Sequence, residues 1–416
     1  MNQPSMPDRS ATFSSGDRIL VTGGAGFIGS HTVDLLLEQG YRVRILDSLQ
    51  ERVHPKGKPA WVPAEAEFIQ GDVANSSDLA RALEGIDGVF HLAAYQDYLP
   101  DFSRFVHTNA ESSALLFELI VSDRRRFPVR KIVFASSQSV CGEGRYVCTG
   151  GEDIASTAYA SQAARPVSTG KHKEAGPQHG LMIPGPRSIE QLRRGDWELR
   201  CPECGQPMEP VLIDESVASP HTAYAISKYA IELFADRLGH RYSIPTACMR
   251  YTYVQGSRNS FYNAYSGIAR RFAMRIMHGL PPIVYEDGGQ VRDYVNVRDV
   301  ARANLLALER PEADFQVLNV GGGRPVTVLE FAGIMLNEFG SSQQPLVEGQ
   351  FRLGDTRHTI SDISRMRALG WAPTVPVEQN VREYLDWLQA QTVSKEYLLE
   401  AERVMKESGV VQMAVA

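Results

Sequence analysis

The chain has 416 residues, of which 43% are hydrophobic and 22% charged, enough for one large α/β domain with additions or for about two or three domains. Its formal net charge of −6 argues against nucleic acid as the main partner, because no basic field recruits phosphates. Residues 1–16 lack the apolar segment of a signal peptide, and no uncharged apolar run is long enough to span a bilayer. We therefore expect a disordered tail at 1–16, no membrane partner and a cytoplasmic location.

Strand and helix patterns alternate along the first part of the chain. The apolar run Arg18–Thr22 predicts a strand, and the amphipathic stretch 27–39 predicts a helix that ends at Gly40. Further strands are predicted at 42–46, Glu67–Gln70, 88–92, 131–135 and Thr246–Tyr251, with helical patterns between them. This alternation predicts an α/β fold built on a doubly wound parallel sheet of the Rossmann type.

A glycine fingerprint lies between the first strand and the first helix. Gly23, Gly26 and Gly29 recur at every third position, so the backbone there can turn tightly and approach a pyrophosphate at the helix N-terminus. Asp47 ends the second strand and can accept hydrogen bonds from both hydroxyls of an adenosine ribose, which favours NAD over NADP. The alternative, a turn that only packs a helix on a strand, is disfavoured by this combination. Further residues predicted to contact NAD are Phe27, Ile28, Asp72, Val73, Leu92, Ala93 and Ala94.

A candidate catalytic set follows later in the chain. Tyr224 and Lys228 are four residues apart in a helical pattern, so their side chains share one helix face. A phenol with a pKa near ~10 is a poor base at neutral pH, but an adjacent ammonium and a positively charged nicotinamide favour the phenolate. Ser137 comes at the end of a predicted strand, where its hydroxyl could hold a substrate oxygen. A chance pair on a surface helix is the alternative, and the glycine fingerprint makes it the weaker one.

Five motifs, in chain order, resemble those of extended short-chain dehydrogenase/reductases in the sugar-nucleotide epimerase/dehydratase family. They are TGGAGFIGSH, HLAA, FASSQSVCGEG, YAISK and GGQVRDYVNVRDVA, which begin at Thr22, His91, Phe134, Tyr224 and Gly288. The resemblance implies that Ser137, Tyr224 and Lys228 are catalytic, that NAD is the cofactor with Tyr224, Lys228 and Asn109 beside it, and that the substrate is a nucleotide sugar.

The same resemblance implies a substrate site and an assembly. Arg292 would bind the substrate diphosphate, assisted by Arg357, and the full implied set is Ser137, Gln138, Arg258, Asn263, Arg292 and Arg357. The helix of Tyr224 carries an apolar face, and in relatives two such helix pairs form a four-helix interface, so we expect a homodimer. The chain departs from the family at Cys141, where relatives often have a tyrosine, and at Tyr253, where they often have an asparagine.

The predicted domain organisation follows from these motifs. An NAD-binding Rossmann domain is expected at 17–250, interrupted by an insertion at 143–213 that is rich in Gly, Ser, Ala, Pro and Gln. A smaller mixed α/β substrate-binding region is expected at 251–390, and a C-terminal helix or tail at 391–416.

The insertion contains a candidate metal site. Cys201 and Cys204, in CPECG, form a zinc-knuckle half-site, because two thiolates at this spacing bind one tetrahedral metal. Cys148 is a further candidate ligand, and His179 or His172 could complete the site. A zinc-bearing subgroup of the family has a similar insertion, and on its pattern His179 is the better match. Free or redox-active thiols are the alternative to a structural zinc.

These motifs predict an NAD-dependent nucleotide-sugar 4-epimerase. Tyr224 would take the proton of the carbon-4 hydroxyl while hydride passes to NAD, and hydride would return to the other face of the 4-keto sugar. Dehydratases that resemble this family follow the serine or threonine with an Asp-Glu pair, whereas Gln138 and Ser139 cannot perform that acid/base step. A dehydratase is thus less favoured, a decarboxylase stays open, and a non-catalytic NAD-binding scaffold is the alternative of another class.

Overall fold

A parallel sheet forms the centre of the structure. The computed structural model describes residues 12–97, 100–148, 180–261, 267–392 and 394–415. Within them, seven parallel strands lie in the order β13-β9-β5-β4-β1-β2-β3. These strands are β1 (Arg18–Thr22), β2 (Arg42–Asp47), β3 (Glu67–Gln70), β4 (Gly88–His91), β5 (Lys131–Ser137), β9 (Thr246–Tyr251) and β13 (Gln316–Val320). The predicted doubly wound fold is confirmed, and ligands of such sheets bind at the carboxyl ends of the strands where the order reverses, beside β1.

Helices cover both faces of this sheet. One face packs against α1 (Phe27–Glu38) and α8 (Val297–Glu309) in the first large core, and the other against α2 (Ser76–Leu83), α4 (Ser112–Ser122) and α6 (Ala223–Tyr242) in the second. A short helix α3 (Phe102–Phe105) and a π-helical stretch (Val106–Glu111) lead directly into α4. Gly40, with φ +83°, ends the first helical segment as the sequence predicts.

The C-terminal region has a separate core. It is formed by helices α7 (Ile268–Met277), α9 (Val328–Glu338), α11 (Val377–Gln389) and α12 (Lys395–Glu407). The short helix α10 (Ser364–Ala368) packs instead on the first large core through Met366. In the small sheets of the C-terminal region, β12 (Val291–Asn296) lies between β10 (Tyr253–Gln255) and β14 (Pro325–Thr327), β11 (Ile283–Val284) pairs with β15 (Leu346–Val347), and β16 (Gln350–Arg352) pairs with β17 (Val411–Met413). Among the described residues, no helix has both the length and the apolar composition needed to cross a membrane.

The predicted boundary at residue 250 does not separate the two regions in space. The strand β13 hydrogen-bonds to β9 and extends the central sheet, and α8 packs on α1. Both elements come after residue 251, so the chain returns to the Rossmann sheet after it has entered the C-terminal region. In this way β13 covers the edge that β9 would otherwise expose.

The insertion has its own small core. Its strands β6 (Arg145–Val147), β7 (Leu181–Met182) and β8 (Glu209–Val211) form an antiparallel sheet in the order β7-β6-β8, next to the short helix α5 (Ile189–Arg193). The side chains buried together there are Tyr146, Cys148, Leu199, Cys201 and Met208.

Part of the predicted N-terminal tail is packed on the fold. Phe13 lies against the first large core, and the guanidinium of Arg130 lies 4.3 Å from the centre of its ring. The backbone N–H of Ser14 donates to the Asp17 carboxylate. For residues 12–16 the expectation of disorder is therefore wrong, because one aromatic ring supplies the apolar contact that anchors the segment.

Candidate active site

The glycine loop shapes a cavity at the carboxyl ends of β1, β2 and β4. Gly23 has a φ of +70°, and a Cβ there would lie 2.9 Å from the backbone of Ala93. A Cβ on Gly29 would lie 2.1 Å from the Gly23 carbonyl oxygen, so helix α1 can start this close to the loop only without a side chain. The cavity measures about 310 Å³. Its lining includes Gly23, Gly26, Phe27, Ile28, Gly29, Asp47, Asp72, Val73, Leu92, Ala93, Ala94, Tyr224 and Lys228, which are all the predicted NAD-binding residues except Asn109.

Asp47 lies at the end of β2 with its carboxylate turned towards the glycine loop. It accepts hydrogen bonds from the backbone N–H groups of Ala25, at 3.0 Å, and Leu49, at 2.9 Å. His54 lines the same cavity, where burial lowers its pKa although the Asp47 charge opposes that shift. The carboxylate is thus fixed on the wall of the cavity, where a ribose with free hydroxyls would find an acceptor.

Two tryptophans close the far side of this cavity, and sequence reasoning missed both. Trp61 donates its indole N–H to the Ala25 carbonyl at 3.0 Å, and its ring lies 6.4 Å from that of Trp387 on α11. Trp61 belongs to a loop without periodicity, and Trp387 is more than 300 residues away in the chain. No local sequence pattern therefore predicts the contact between these two tryptophans.

Ser137, Tyr224 and Lys228 meet where this cavity joins a larger one. Ser137 ends β5, while Thr222 caps helix α6 by accepting the N–H of Ala225 at 3.1 Å and so fixes Tyr224 in its first turn. Tyr224 lines both cavities, whereas Lys228 lines the smaller and Ser137 the larger. The Lys228 Nζ lies 5.9 Å from the centre of the Tyr224 ring. A phenol between two connected cavities can transfer a proton to a ligand that spans them.

The ammonium of Lys228 is deeply buried. Its Nζ donates to the Ala135 carbonyl at 2.8 Å, and burial lowers the pKa of Lys228 to about 7. Behind it, Glu232 on α6 accepts from the Ser136 hydroxyl and forms an ion pair with Arg250 at 2.7 Å. These contacts join α6 to β5 and β9 and hold the helix of Tyr224 against the ends of the strands.

The larger cavity measures about 620 Å³, and both hydroxyl and amide groups and several arginines line it. Ser137, Gln138 and Ser139 line it together with Tyr224. The arginines that line the cavity are Arg270, Arg271, Arg292 and Arg352. Of these only Arg292 was predicted, and it donates to the carbonyls of Val291, Thr356 and Arg357 at 3.0, 2.7 and 2.9 Å. Four guanidinium groups around one cavity favour an anionic ligand such as a diphosphate.

Three predicted ligand contacts are not where the resemblance implies. Asn109 lines neither cavity, because its side-chain amide is buried in other hydrogen bonds. It accepts the Tyr95 N–H at 2.8 Å and donates to the Tyr95 carbonyl at 3.0 Å and to the Ser227 hydroxyl at 2.9 Å. Arg258 lies in the smaller cavity, where it pairs with Asp34 at 2.7 Å. Arg357 is turned away from the larger cavity by carboxylates. The predicted residues Asn263 and His179 lie outside the described residues.

Three cysteines of the insertion converge. The sulfurs of Cys148, Cys201 and Cys204 all lie within 4.8 Å of one another, and those of Cys148 and Cys204 are 3.5 Å apart. Burial opposes ionisation of Cys201, but the backbone N–H groups of Cys204 and Glu203, together with the thiols of Cys148 and Cys204, outweigh it and lower the Cys201 pKa to about 6. Thiolates around one tetrahedral ion with Zn–S bonds of about 2.3 Å would be about 3.8 Å apart, so the donor set fits zinc.

The sheet, the glycine-lined cavity and the Tyr–Lys pair define a dinucleotide-dependent enzyme of the short-chain dehydrogenase/reductase class. The sequence profile of the NAD dependent epimerase/dehydratase family matches residues 19–167 and 201–321, more than half of the chain. The chain belongs to this family, as its motifs predict. The profile leaves residues 168–200 of the insertion unmatched.

Individual relatives are similar over nearly the whole chain. The dTDP-L-rhamnose 4-epimerase of Burkholderia thailandensis is 28% identical over 390 residues, which cover 92% of this chain and 98% of that protein. A UDP-glucose 4-epimerase from Thermotoga maritima, solved with UDP-glucose, superimposes with a TM-score of 0.67 at 27% identity and covers 89% of this chain and 98% of its own. The Thermus thermophilus UDP-glucose 4-epimerase with NAD gives a TM-score of 0.64 at 26% identity, with 90% and 100% coverage. The predicted function agrees with the names of these relatives.

Proposed function

We propose that the protein is an NAD-dependent nucleotide-sugar 4-epimerase. One observation carries the proposal: Tyr224 stands at the junction of the two cavities, with Lys228 in the glycine-lined one and Ser137 in the arginine-lined one. A reaction at this junction needs a cofactor on one side and an anionic substrate on the other. The similarity to 4-epimerases that were solved with NAD or with a UDP-sugar supports both assignments.

The residues of the smaller cavity fit NAD. Gly23, Gly26 and Gly29 line this cavity without side chains, so a pyrophosphate could approach the backbone there, and the absence of a Cβ on Gly29 lets helix α1 start close to the loop. Asp47 would accept the ribose hydroxyls, and its charge disfavours a 2′-phosphate. A bound NAD would supply a reversible hydride acceptor for the sugar carbon.

The chain's own groups handle the proton and the sugar. Tyr224 is the base for the carbon-4 hydroxyl, and the buried ammonium of Lys228 favours its phenolate. The Ser137 hydroxyl, which accepts from the Ser139 N–H at 3.2 Å, is oriented to hold the carbon-4 oxygen. Arg292 and Arg352, which line the same cavity, would hold the diphosphate, so the sugar can turn over while the nucleotide stays anchored.

A dehydratase is the weaker candidate because the cavity lacks its acid/base pair at the expected place. The Gln138 side chain is an amide, and it donates to the Ser361 hydroxyl at 2.9 Å. Ser139 is bonded to Ser137 at 3.0 Å. Neither group gives or takes a proton readily at neutral pH, so positions 138 and 139 do not supply an acid/base pair for water elimination.

The test is turnover of a panel of UDP- and dTDP-sugars, with detection of the carbon-4 epimer. Tyr224→Phe should lose about 10²- to 10⁴-fold in kcat, the usual contribution of a general base, and should keep its NAD. Tyr229→Phe is the matched control, because Tyr229 lies on the same helix and lines neither cavity. An active Tyr224→Phe enzyme, or products that have lost water, would contradict the proposal.

We further propose a structural zinc ion held by Cys148, Cys201 and Cys204, with His179 as the fourth ligand. A closed site of four protein ligands stabilises a small domain and leaves no position for a catalytic water. Metal analysis should find about one zinc per chain. Cys201→Ala should lose the metal and keep NAD, while Cys248→Ala, on strand β9, should keep both. Zinc retained in His179→Ala would assign the fourth position to His172 or water.

We also propose that the enzyme is a homodimer formed through helix α6. Ile226 and Leu233 are 54% and 45% exposed, and they lie about two turns apart on one face of that helix. Leu233→Glu should place a charge in the interface and halve the mass measured in solution. Leu399→Glu, at a 46% exposed site on α12, is the control. A wild-type monomer at all concentrations would exclude the dimer.

A further inference from the structure

A largely buried cluster of opposite charges, in which only the side chains of Glu198 and Asp287 are substantially exposed, joins the insertion to the wall of the larger cavity. Its members are Glu143, Arg187, Glu198, Glu286, Asp287, Arg357 and His358. Buried charges are stable only when they are paired and hydrogen-bonded. Arg187 and Glu198 lie within residues 168–200, the part of the insertion that the family profile does not match.

Arg187 is the centre of this cluster. Its side chain is 1% exposed and contacts the carboxylates of Glu286, at 3.0 Å, and Glu143, at 3.4 Å. Its guanidinium also donates to the carbonyls of Trp197 and Asp355, each at 3.0 Å. One arginine from the insertion therefore holds the start of β6, the loop after β11 and the backbone of residue 355.

Arg357 is the second cation of the cluster. Its guanidinium contacts Glu286 at 2.9 Å, Asp287 at 2.7 Å and Glu198 at 3.0 Å. Its backbone N–H donates to the Glu143 carboxylate at 2.7 Å. Glu198 also reaches the neighbouring His358 at 3.2 Å, so this carboxylate of the insertion holds two consecutive side chains of the 355–358 segment.

The segment that these contacts hold is the wall of the substrate cavity. Asp355 and Thr356 line the cavity, and Asp355 orients the guanidinium of Arg352 at 2.6 and 3.0 Å. The carbonyls of Thr356 and Arg357 hold Arg292 at 2.7 and 2.9 Å. Both arginines assigned to the diphosphate are thus placed by a segment that the insertion clamps.

The C-terminal strand extends the same clamp. Strand β17 pairs with β16, which ends in Arg352. The backbone carbonyl of Arg193 accepts the Val415 N–H at 2.7 Å, and the guanidinium of Arg193 donates to the Gln412 side chain at 3.2 Å. The insertion therefore contacts the wall directly through the ion cluster and indirectly through β17, the C-terminal strand that pairs with β16.

We infer that Arg187 and Glu198 are positioning residues that hold segment 352–357 in the shape that binds the substrate diphosphate. This inference rests on the proposed function, since it assumes a diphosphate in the larger cavity. It gives the insertion a role in substrate affinity without contact to the reacting atoms. A loosened wall would weaken the binding of the substrate and of the transition state by the same amount, so KM should rise while kcat stays nearly constant.

The experiment compares Arg187→Met and Glu198→Gln with the control Arg194→Met, which alters an exposed arginine of the same insertion. The readouts are KM and kcat with the active nucleotide sugar, the affinity for UDP and dTDP by calorimetry, and the retained NAD. KM and the nucleotide dissociation constant should rise about 5- to 150-fold, the usual range for coupling between sites, with kcat and NAD unchanged. Arg187→Lys should recover part of the affinity, since it restores the charge without the planar fork.

The outcomes separate this inference from the proposed function. If the wild type turns over no nucleotide sugar, the epimerase proposal fails, but UDP and dTDP affinities still test the clamp. Unchanged affinities in both variants would overturn the inference, as would a wild type that binds neither nucleotide. Affinity lost together with NAD would indicate a general structural role and would also overturn it. If Arg187→Met does not fold, Glu198→Gln decides, because that carboxylate is 38% exposed and its loss disturbs the fold less.

Discussion

Two glycines of the same loop should respond differently to the same added methyl group. Gly26 has a φ of −77°, which alanine adopts readily, and a Cβ there would meet the Gly23 carbonyl oxygen at 3.2 Å. At Gly29 the Cβ would lie 2.1 Å from that oxygen and 2.8 Å from its carbonyl carbon. Since ordinary contacts begin near 3.4 Å, alanine requires a shift of about 0.2 Å at the first position and more than 1 Å of backbone at the second.

These distances predict a separation of binding from stability. Gly26→Ala should change the free energy of unfolding by less than about 1 kcal/mol, whereas Gly29→Ala should cost about 1 to 3 kcal/mol or more, as overpacked sites do. The methyl group at position 26 enters the lining of the smaller cavity, where a pyrophosphate would approach the backbone. Loss of one hydrogen bond to a charged group is worth about 1.5–3 kcal/mol, so NAD affinity should fall about 10- to 150-fold.

The assay is urea unfolding in parallel with calorimetric titration of NAD into protein freed of cofactor. Gly333→Ala, on the exposed side of α9 with no atom within 4 Å of its Cβ, is the control and should gain up to about 1 kcal/mol of stability with normal NAD affinity. Undiminished NAD affinity in Gly26→Ala, or a stability loss there as large as in Gly29→Ala, would refute the assigned roles of the two glycines.

Three further predictions concern charge and loop shape. Lys228→Met removes the cation beside Tyr224, so the pH at which turnover reaches its plateau should rise in a pH–rate profile. Burial lowers the pKa of His91 to about 3, below its unfolded value near 6.5, so this histidine contributes stability that is present above about pH 6.5 and is lost as pH falls towards 3. In that window, His91→Gln should reduce the pH dependence of the free energy of unfolding in urea by about 1.4 kcal/mol per pH unit. An unchanged slope would contradict this. Gly142→Ala should lower thermal stability and turnover together, because φ is +60° there and a Cβ would lie 2.3 Å from the Ser219 carbonyl oxygen; normal melting would show that the loop relaxes.

Local patterns predicted the sheet and the cofactor side of the site because both depend on short segments. The glycine loop and Asp47 lie within 25 residues of each other, and strand β2 brings them together without help from the rest of the chain. Tyr224 and Lys228 share one helix, so their spacing alone placed them side by side. Ser137 was predicted at the end of its strand and lies there, although the strand itself continues two residues beyond its predicted end at residue 135.

The substrate side could not be predicted in the same way because its residues come from distant segments. Arg352 reaches the cavity through the pairing of β16 with the C-terminal strand, a contact without any motif. The family resemblance implied Arg357, from the same segment, as a ligand of the diphosphate. Its guanidinium instead forms ion pairs with Glu286, Asp287 and Glu198, outside the cavity lining. Which of two nearby arginines faces a ligand depends on where the acids lie, and these acids come from two parts of the chain that are far apart in sequence.

The cysteine cluster and the ion cluster meet at one peptide unit of the insertion. Leu199 is buried in the small core with Cys201, while the adjacent Glu198 holds Arg357 and His358. The small core fixes the backbone of Leu199, whose carbonyl accepts the Met208 N–H at 2.8 Å. It therefore also fixes the backbone position from which the Glu198 side chain extends. Loss of the proposed zinc should therefore raise KM as Glu198→Gln does. Because both changes release the same contact, their effects should not add in a double-mutant cycle of Cys201→Ala with Glu198→Gln. Fully additive effects on KM would show that the metal site and the cavity wall are independent.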